Sequence, residues 1–228
     1  MPERHGERYP NNPGPKPSYP VRGADLRAWP RFWNRLSYRR RLTLEDSARL
    51  GRVVSGEFNF TPEDQKVFSE GVKAFSNAQA EALLEAYDFS RHRRMMDLGG
   101  VTGSFLRAIL ESHETMDGTL FELPAAAAVA PNHLRGSDFE PRIAIVAGDF
   151  LKDPIPTGHD AFLAANVIHV FDGRQNLEFF RRVRASAVAG ARLLRVDLFT
   201  NATHTEPLFA ALMASWLMVM EMCTARMK

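Results

Sequence analysis

The residues best suited to chemistry stand where strand-like runs end. In Met95-Met96-Asp97-Leu98-Gly99-Gly100-Val101-Thr102-Gly103-Ser104-Phe105 an apolar stretch closes on glycines and a helical pattern follows. Glycine is needed where the backbone turns sharply and a ligand must come close to it, so this turn places a ligand over a helix N-terminus; it also serves as a tight strand-to-helix connection. A dinucleotide fingerprint wants glycine at the first, third and sixth positions. Counted from Gly99 the third and sixth are Val101 and Ser104, which disfavours NAD. Glu122 ends the next apolar run, where a carboxylate can accept hydrogen bonds from both hydroxyls of a ribose; a capped or solvent-facing acid before Pro124 is the other reading, and the spacing from the glycines favours the ribose. Asp149, in Ala147-Gly148-Asp149-Phe150, fits an adenine edge beside the Phe150 ring or a simple turn aspartate equally well.

The elements that must hold these residues alternate. Strands are predicted over 94–98, 119–123, 143–147, 161–168 and 192–198, with helices over 102–111, 125–134 and 174–187 between them and a last helix over 206–223. That rhythm is the signature of a parallel sheet covered on both faces. Upstream, Thr61-Pro62-Glu63-Asp64 is a helix start: a threonine cap, proline at the first helical position and acids against the positive helix end. Val67, Phe68, Val72 and Phe75 then share one face, and a second helix over 77–87 turns Ala80, Leu83, Leu84 and Tyr87 inward. Seven prolines among the first thirty residues make a tail without regular structure. Between 24 and 54 the pattern is helical and basic, Arg39-Arg40-Arg41 standing beside Trp29, Phe32, Trp33 and Tyr38; the rings are expected to pack into a helical interface with the arginines as solvated rim. The predicted organisation is therefore a tail over 1–23, a helical dimerisation and linker segment over 24–90, and a ligand-binding α/β domain over 91–228.

The 228 residues carry 45% hydrophobic and 25% charged side chains with a net charge of +2, a balance that calls for neither nucleic acid nor an acidic partner. Cys223 is the single cysteine, which leaves no internal disulfide framework and no multi-cysteine metal site; no metal is expected. The opening lacks the apolar core of a secretory signal, and the run over 208–220 is too short to span a bilayer, so a cytoplasmic protein acting on a small molecule, without membrane contact, is expected.

Four motifs in order, Asp97-Leu98-Gly99-Gly100-Val101-Thr102-Gly103, Phe121-Glu122-Leu123-Pro124, Gly148-Asp149-Phe150-Leu151-Lys152-Asp153-Pro154-Ile155-Pro156 and Asn166-Val167-Ile168-His169, resemble those of S-adenosylmethionine-dependent O-methyltransferases of the caffeate and hydroxyindole type, including bacterial polyketide O-methyltransferases. The resemblance implies a Rossmann-like class I methyltransferase sheet with helices on both faces, preceded by a short helical dimerisation segment. It implies S-adenosyl-L-methionine as cofactor and a hydroxyl of a small aromatic or polyketide-like metabolite as acceptor. It makes Asp97, Gly99, Gly100, Gly103, Glu122, Leu123, Gly148, Asp149, Phe150 and Asn166 the cofactor set: Gly99 and Gly103 at the methionine end, Glu122 on the ribose, Asp149 with Phe150 at the adenine. His169 becomes the general base and Asp197 the acid that orients it. A histidine suits that task because its pKa lies near neutrality.

The sequence also departs from the family pattern. Val101 replaces the middle glycine, Val170-Phe171 stand where Asp-Trp usually follow the histidine, and Ala165 replaces a basic residue. The last two strands and a second catalytic acid are expected to be missing beyond Lys228, so a catalytically weak relative that binds cofactor or partner subunits is the alternative function. Trp29, Phe32, Trp33 and the 208–220 helix look like more apolar surface than such a chain covers alone, which predicts a homodimer with exchanged helices. The methionines at 213, 218, 220 and 222 are expected in the core rather than on a substrate.

Overall fold

A computed structural model describes residues 27–50, 54, 61–217 and 219. The predicted tail over 1–23 lies outside them, as do Met218, Met220 and Met222. Five strands, β1 (Arg94–Leu98), β2 (Asp117–Glu122), β3 (Ile143–Ala147), β4 (His159–Ala165) and β5 (Ala187–Val196), form one parallel sheet in the order β3-β2-β1-β4-β5. Beyond β1 the order runs one way through β2 and the other way through β4. The crevice at the carboxyl ends of β1 and β4 is therefore the switch point at which open α/β sheets hold ligands.

Side chains alternate across the sheet. Met95, Leu120 and Leu163 face the layer that holds Phe105, Leu106, Ile109 and Leu110 of α5 (Ser104–Ser112), whereas Met96, Leu98, Phe121 and Phe162 face Phe179 and Val183 of α8 (Gly173–Ser186). By the same parity Asp97 points into the α5 layer, among apolar groups. Strand β4 stops at Ala165, short of the predicted 168. Asn166 takes a left-handed φ of +57°, a conformation asparagine tolerates, and Ile168–Val170 form a 3₁₀ turn that carries His169.

The remaining helices are α1 (Ala28–Phe32), α2 (Tyr38–Arg41), α3 (Leu44–Leu50), α4 (Pro62–Ala86), α6 (Pro124–Val129), α7 (Pro131–Leu134) and α9 (Leu208–Leu217), with a π-helical turn at Trp33–Ser37. The two helices expected after Thr61 are one. Helix α4 runs unbroken for 25 residues, opened by a capping box in which Asp64 N–H donates to Thr61 Oγ1 at 3.1 Å and Thr61 N–H donates to Asp64 Oδ2 at 3.3 Å. Nothing at Ser76-Asn77 interrupts it, because both residues are tolerated inside a helix that tertiary packing supports. The predicted 125–134 helix is instead two, since Pro131 cannot donate the N–H that would continue the first.

Trp29 stacks on Phe32 at 5.2 Å and on Phe75 at 4.8 Å, and Phe32 and Trp33 meet Trp216 of α9 edge-on at 5.6 and 5.3 Å. Phe32 is buried and Arg41 lies over the Trp33 ring. The aromatic arm is thus covered within the chain, by α4 and α9, rather than left as the open surface the sequence suggested. The apolar surface that remains exposed on and beside these elements includes Tyr38, Leu42, Leu208, Phe209 and Leu212.

Candidate active site

Where β1 ends, the chain makes its glycine turn. Gly99 has φ +79° and a Cβ there would lie 2.9 Å from Val167; a Cβ at Gly100 would fall 2.1 Å from Asp97 Oδ2. Gly103, at φ +66°, caps α5. Val101 also adopts a left-handed φ, +48°. The conformation is one that glycine takes freely and a β-branched residue takes under strain, which explains why glycine is the usual occupant of this place in the motif.

Beneath the turn lie two acids. Glu122 Oε2 accepts from Val101 N–H and Oε1 from Leu123 N–H, both at 3.0 Å, so the strand-end carboxylate pins the turn to the start of α6. Burial raises the Glu122 pKa, and those two N–H donors oppose the rise. Asp97 is wholly buried and, among the described residues, neither carboxylate oxygen has a hydrogen-bond partner. Burial first, and the Glu122 charge second, push its pKa up to about 8.

Across the crevice, His169 Nδ1 donates to Asp197 Oδ1 at 2.6 Å, and Asp197 is also held by the N–H groups of Leu198 at 2.8 Å and His169 at 3.4 Å. A carboxylate only accepts, so the proton of the neutral ring sits on Nδ1 and Nε2 carries the lone pair. Asn166, the other motif residue here, gives its side chain to Gln79 of α4. Asn166 Nδ2 donates to Gln79 Oε1 at 2.6 Å and Gln79 Nε2 donates back at 3.3 Å.

A cavity of about 240 Å³ joins these parts. Gly99, Gly100, Val101, Glu122, Asn166 and His169 line one side of it, and Trp29, Phe32, Phe68, Phe75, Met213 and Trp216 line the other. Among the described residues that line it, Glu122 and His169 are the ionisable ones. Met213 both packs in the core and lines the cavity.

Gly148, Asp149 and Phe150 are not among the residues lining this cavity, but Phe150 Cε1 comes within 3.7 Å of where a Cβ at Gly99 would stand. Asp149 Oδ1 accepts from Leu151 N–H at 2.9 Å and Oδ2 faces Lys152 Nζ at 3.0 Å, the geometry of a turn aspartate. Its burial raises the pKa, but that N–H and ammonium outweigh it and the net shift is downward. Phe150 packs edge-on to Phe171 and Phe179, and Arg182 of α8 fixes the loop by donating to the Phe150 and Asp153 carbonyls at 2.9 and 2.6 Å. Gly148 is required by Phe121, whose ring would come 2.6 Å from a Cβ. Leu123 is half-exposed at the rim. Sequence reasoning missed Gln79, whose partner Asn166 lies 87 positions away.

The model of the O-methyltransferase domain matches residues 50–228. The chain belongs to that family. It is 33% identical over 152 residues to 3-hydroxy-5-methyl-1-naphthoate 3-O-methyltransferase of Streptomyces sahachiroi, covering 67% of this chain and 44% of that protein. It is 32% identical over 137 residues to phenazine O-methyltransferase PhzM of Lysobacter antibioticus, covering 60% and 40%. The crystal structure of LaPhzM superposes with a TM-score of 0.79 at 25% identity, over 86% of this chain and 61% of that one. These similarities span less than half the length of the two curated family members. Among the described residues no helix is long and apolar enough to cross a membrane.

Proposed function

We propose that the chain is an S-adenosyl-L-methionine-dependent O-methyltransferase that moves a methyl group to a hydroxyl of a small aromatic or polyketide-like acceptor. The observation that carries this reading is the His169–Asp197 pair at 2.6 Å on the wall of the same cavity as the glycine turn and Glu122. The residues suit the cofactor. Each Glu122 oxygen spends one lone pair on a backbone N–H and keeps a second for a ribose hydroxyl. Gly99 and Gly100 admit the methionine end. Gly103 and Leu123 shape the turn and rim, Gly148, Asp149 and Phe150 back the adenine side, and Asn166, held by Gln79, supports the cleft floor.

When bound, the sulfonium supplies an already activated methyl group. The protein's part is to align the acceptor and remove its proton. His169 Nε2 takes that proton, while Asp197 fixes the tautomer and stabilises the imidazolium that forms. The aromatic wall of Trp29, Phe32, Phe75 and Trp216 holds a flat acceptor and excludes water from the base.

Calorimetry with the cofactor and transfer of labelled methyl to phenolic acceptors test this. His169→Ala is expected to leave binding intact and lower turnover by about 10²–10⁴. Wild-type protein that is folded but binds no cofactor overturns the reading, and binding without turnover leaves the binding-only alternative. The natural assembly is proposed as a homodimer through the exposed Tyr38, Leu42, Leu208 and Leu212 surface. Light scattering is expected to give a dimer mass that Leu212→Glu reduces to a monomer.

A further inference from the structure

Asp97 is placed as no ordinary ligand would be. It is the one acid of β1, it faces the apolar α5 layer, and its two oxygens have no hydrogen-bond donor among the described residues. Glu122, buried beside it, has two backbone donors that offset part of the rise burial imposes on its pKa, so of the two acids Asp97 is the one without a compensating hydrogen bond. Its carboxyl occupies the space a side chain at Gly100 would fill, directly under backbone that lines the cavity. An unpaired buried carboxylate in such a place is costly, and the usual escape is to hold a proton.

We propose that Asp97 is the proton-exchanging acid of the cofactor site: it keeps its proton until a cationic cofactor binds, then releases it to solvent. One proton leaves as one net positive charge enters, so the charge of the buried floor is the same before and after binding. The inference rests on the S-adenosylmethionine reading above, because the net charge of that molecule is what drives the exchange. Asp97 acts here as a positioning residue, setting affinity rather than touching the reacting methyl.

The direction with pH follows. Burial holds the Asp97 carboxyl neutral up to about pH 8, so below that value binding must expel a proton and weakens as the solution becomes more acidic. Apparent affinity therefore rises by about tenfold per pH unit on approaching pH 8 from below and levels off above it. The other titratable groups around the cavity are Glu122 on β2, and His169 with Asp197 on the far wall; α4 presents the neutral Gln79, and α5 the hydroxyl of Ser104.

The test is calorimetric titration of the wild-type protein with S-adenosylmethionine near neutral pH, in two buffers of different ionisation enthalpy, which counts the protons exchanged. Release close to one proton is expected, falling to near zero in Asp97→Asn and persisting in His169→Asn. No exchange in the wild type, or exchange that survives in Asp97→Asn, overturns the proposal. Should Asp97→Asn not fold, infrared difference spectra of wild-type protein carrying isotope-labelled aspartate decide the matter. Loss on binding of a protonated-carboxyl band that shifts with the label supports it, and an unlabelled or absent band overturns it. Absence of any cofactor binding to folded protein sinks the parent reading as well, whereas binding without proton exchange sinks this inference alone.

Discussion

At φ +48°, Val101 is a β-branched residue in the left-handed region, held there by Glu122 Oε2 on its N–H. Such a conformation costs about 1–3 kcal/mol, and glycine would remove that strain while adding about 0.5–1 kcal/mol of chain entropy to lose on folding. Val101→Gly is thus expected to stabilise the protein by about 1 kcal/mol, read as a higher urea midpoint with an unchanged slope, and to tighten cofactor binding. A fall in the midpoint would show that the valine side chain contributes packing that outweighs its strain. Glu122 was legible from its place at the end of an apolar strand run, because strand ends at a switch point face ligands, whereas His169 stood out only through the family resemblance of its motif. The Gln79–Asn166 pair was not legible, since two amides 87 positions apart carry no local pattern. Asp149 was half legible: spacing marked it, but only the Leu151 and Lys152 contacts show how its oxygens are engaged.

Elements were read best where a single period dominates. Strands β1 and β3 lie where apolar runs predicted them, residue for residue, because both are short and fully flanked. Strand β4 was over-extended, as the apolar Val167-Ile168 continues the strand pattern while the backbone has already turned at Asn166. The end of α5 depends on a residue with no helix signal at all. Arg142 donates to the carbonyls of Leu110, His113, Glu114 and Met116 at 2.8–3.1 Å, satisfying groups that a helix terminus and its following turn leave open. Arg142→Ala is expected to destabilise the fold by about 2–4 kcal/mol, measured by chemical denaturation, since charged hydrogen bonds are lost and buried carbonyls are left unpaired. A change below about 0.5 kcal/mol would mean that water replaces the guanidinium.

Across the molecule, one helix links the two walls of the cleft. Phe68, Val72 and Phe75 along α4 face the cavity, and Gln79, Ala80 and Leu83 further on engage Asn166 and the sheet core. The sheet's class and its five strands were predicted from alternation alone; the roof was not, because the sequence marked Trp29, Phe32 and Trp33 as apolar without saying which surface of the same chain would receive them. All three tryptophans of the chain, Trp29, Trp33 and Trp216, meet in this roof, two of them on the cavity wall and Trp33 5.3 Å from both. The chain's entire indole emission therefore originates beside the cleft. A planar acceptor that enters is expected to quench or shift the whole signal in a saturable way, with no residual unresponsive component. A label-free optical titration of acceptor libraries is thus built into the protein, and a compound that binds elsewhere would leave the spectrum unmoved.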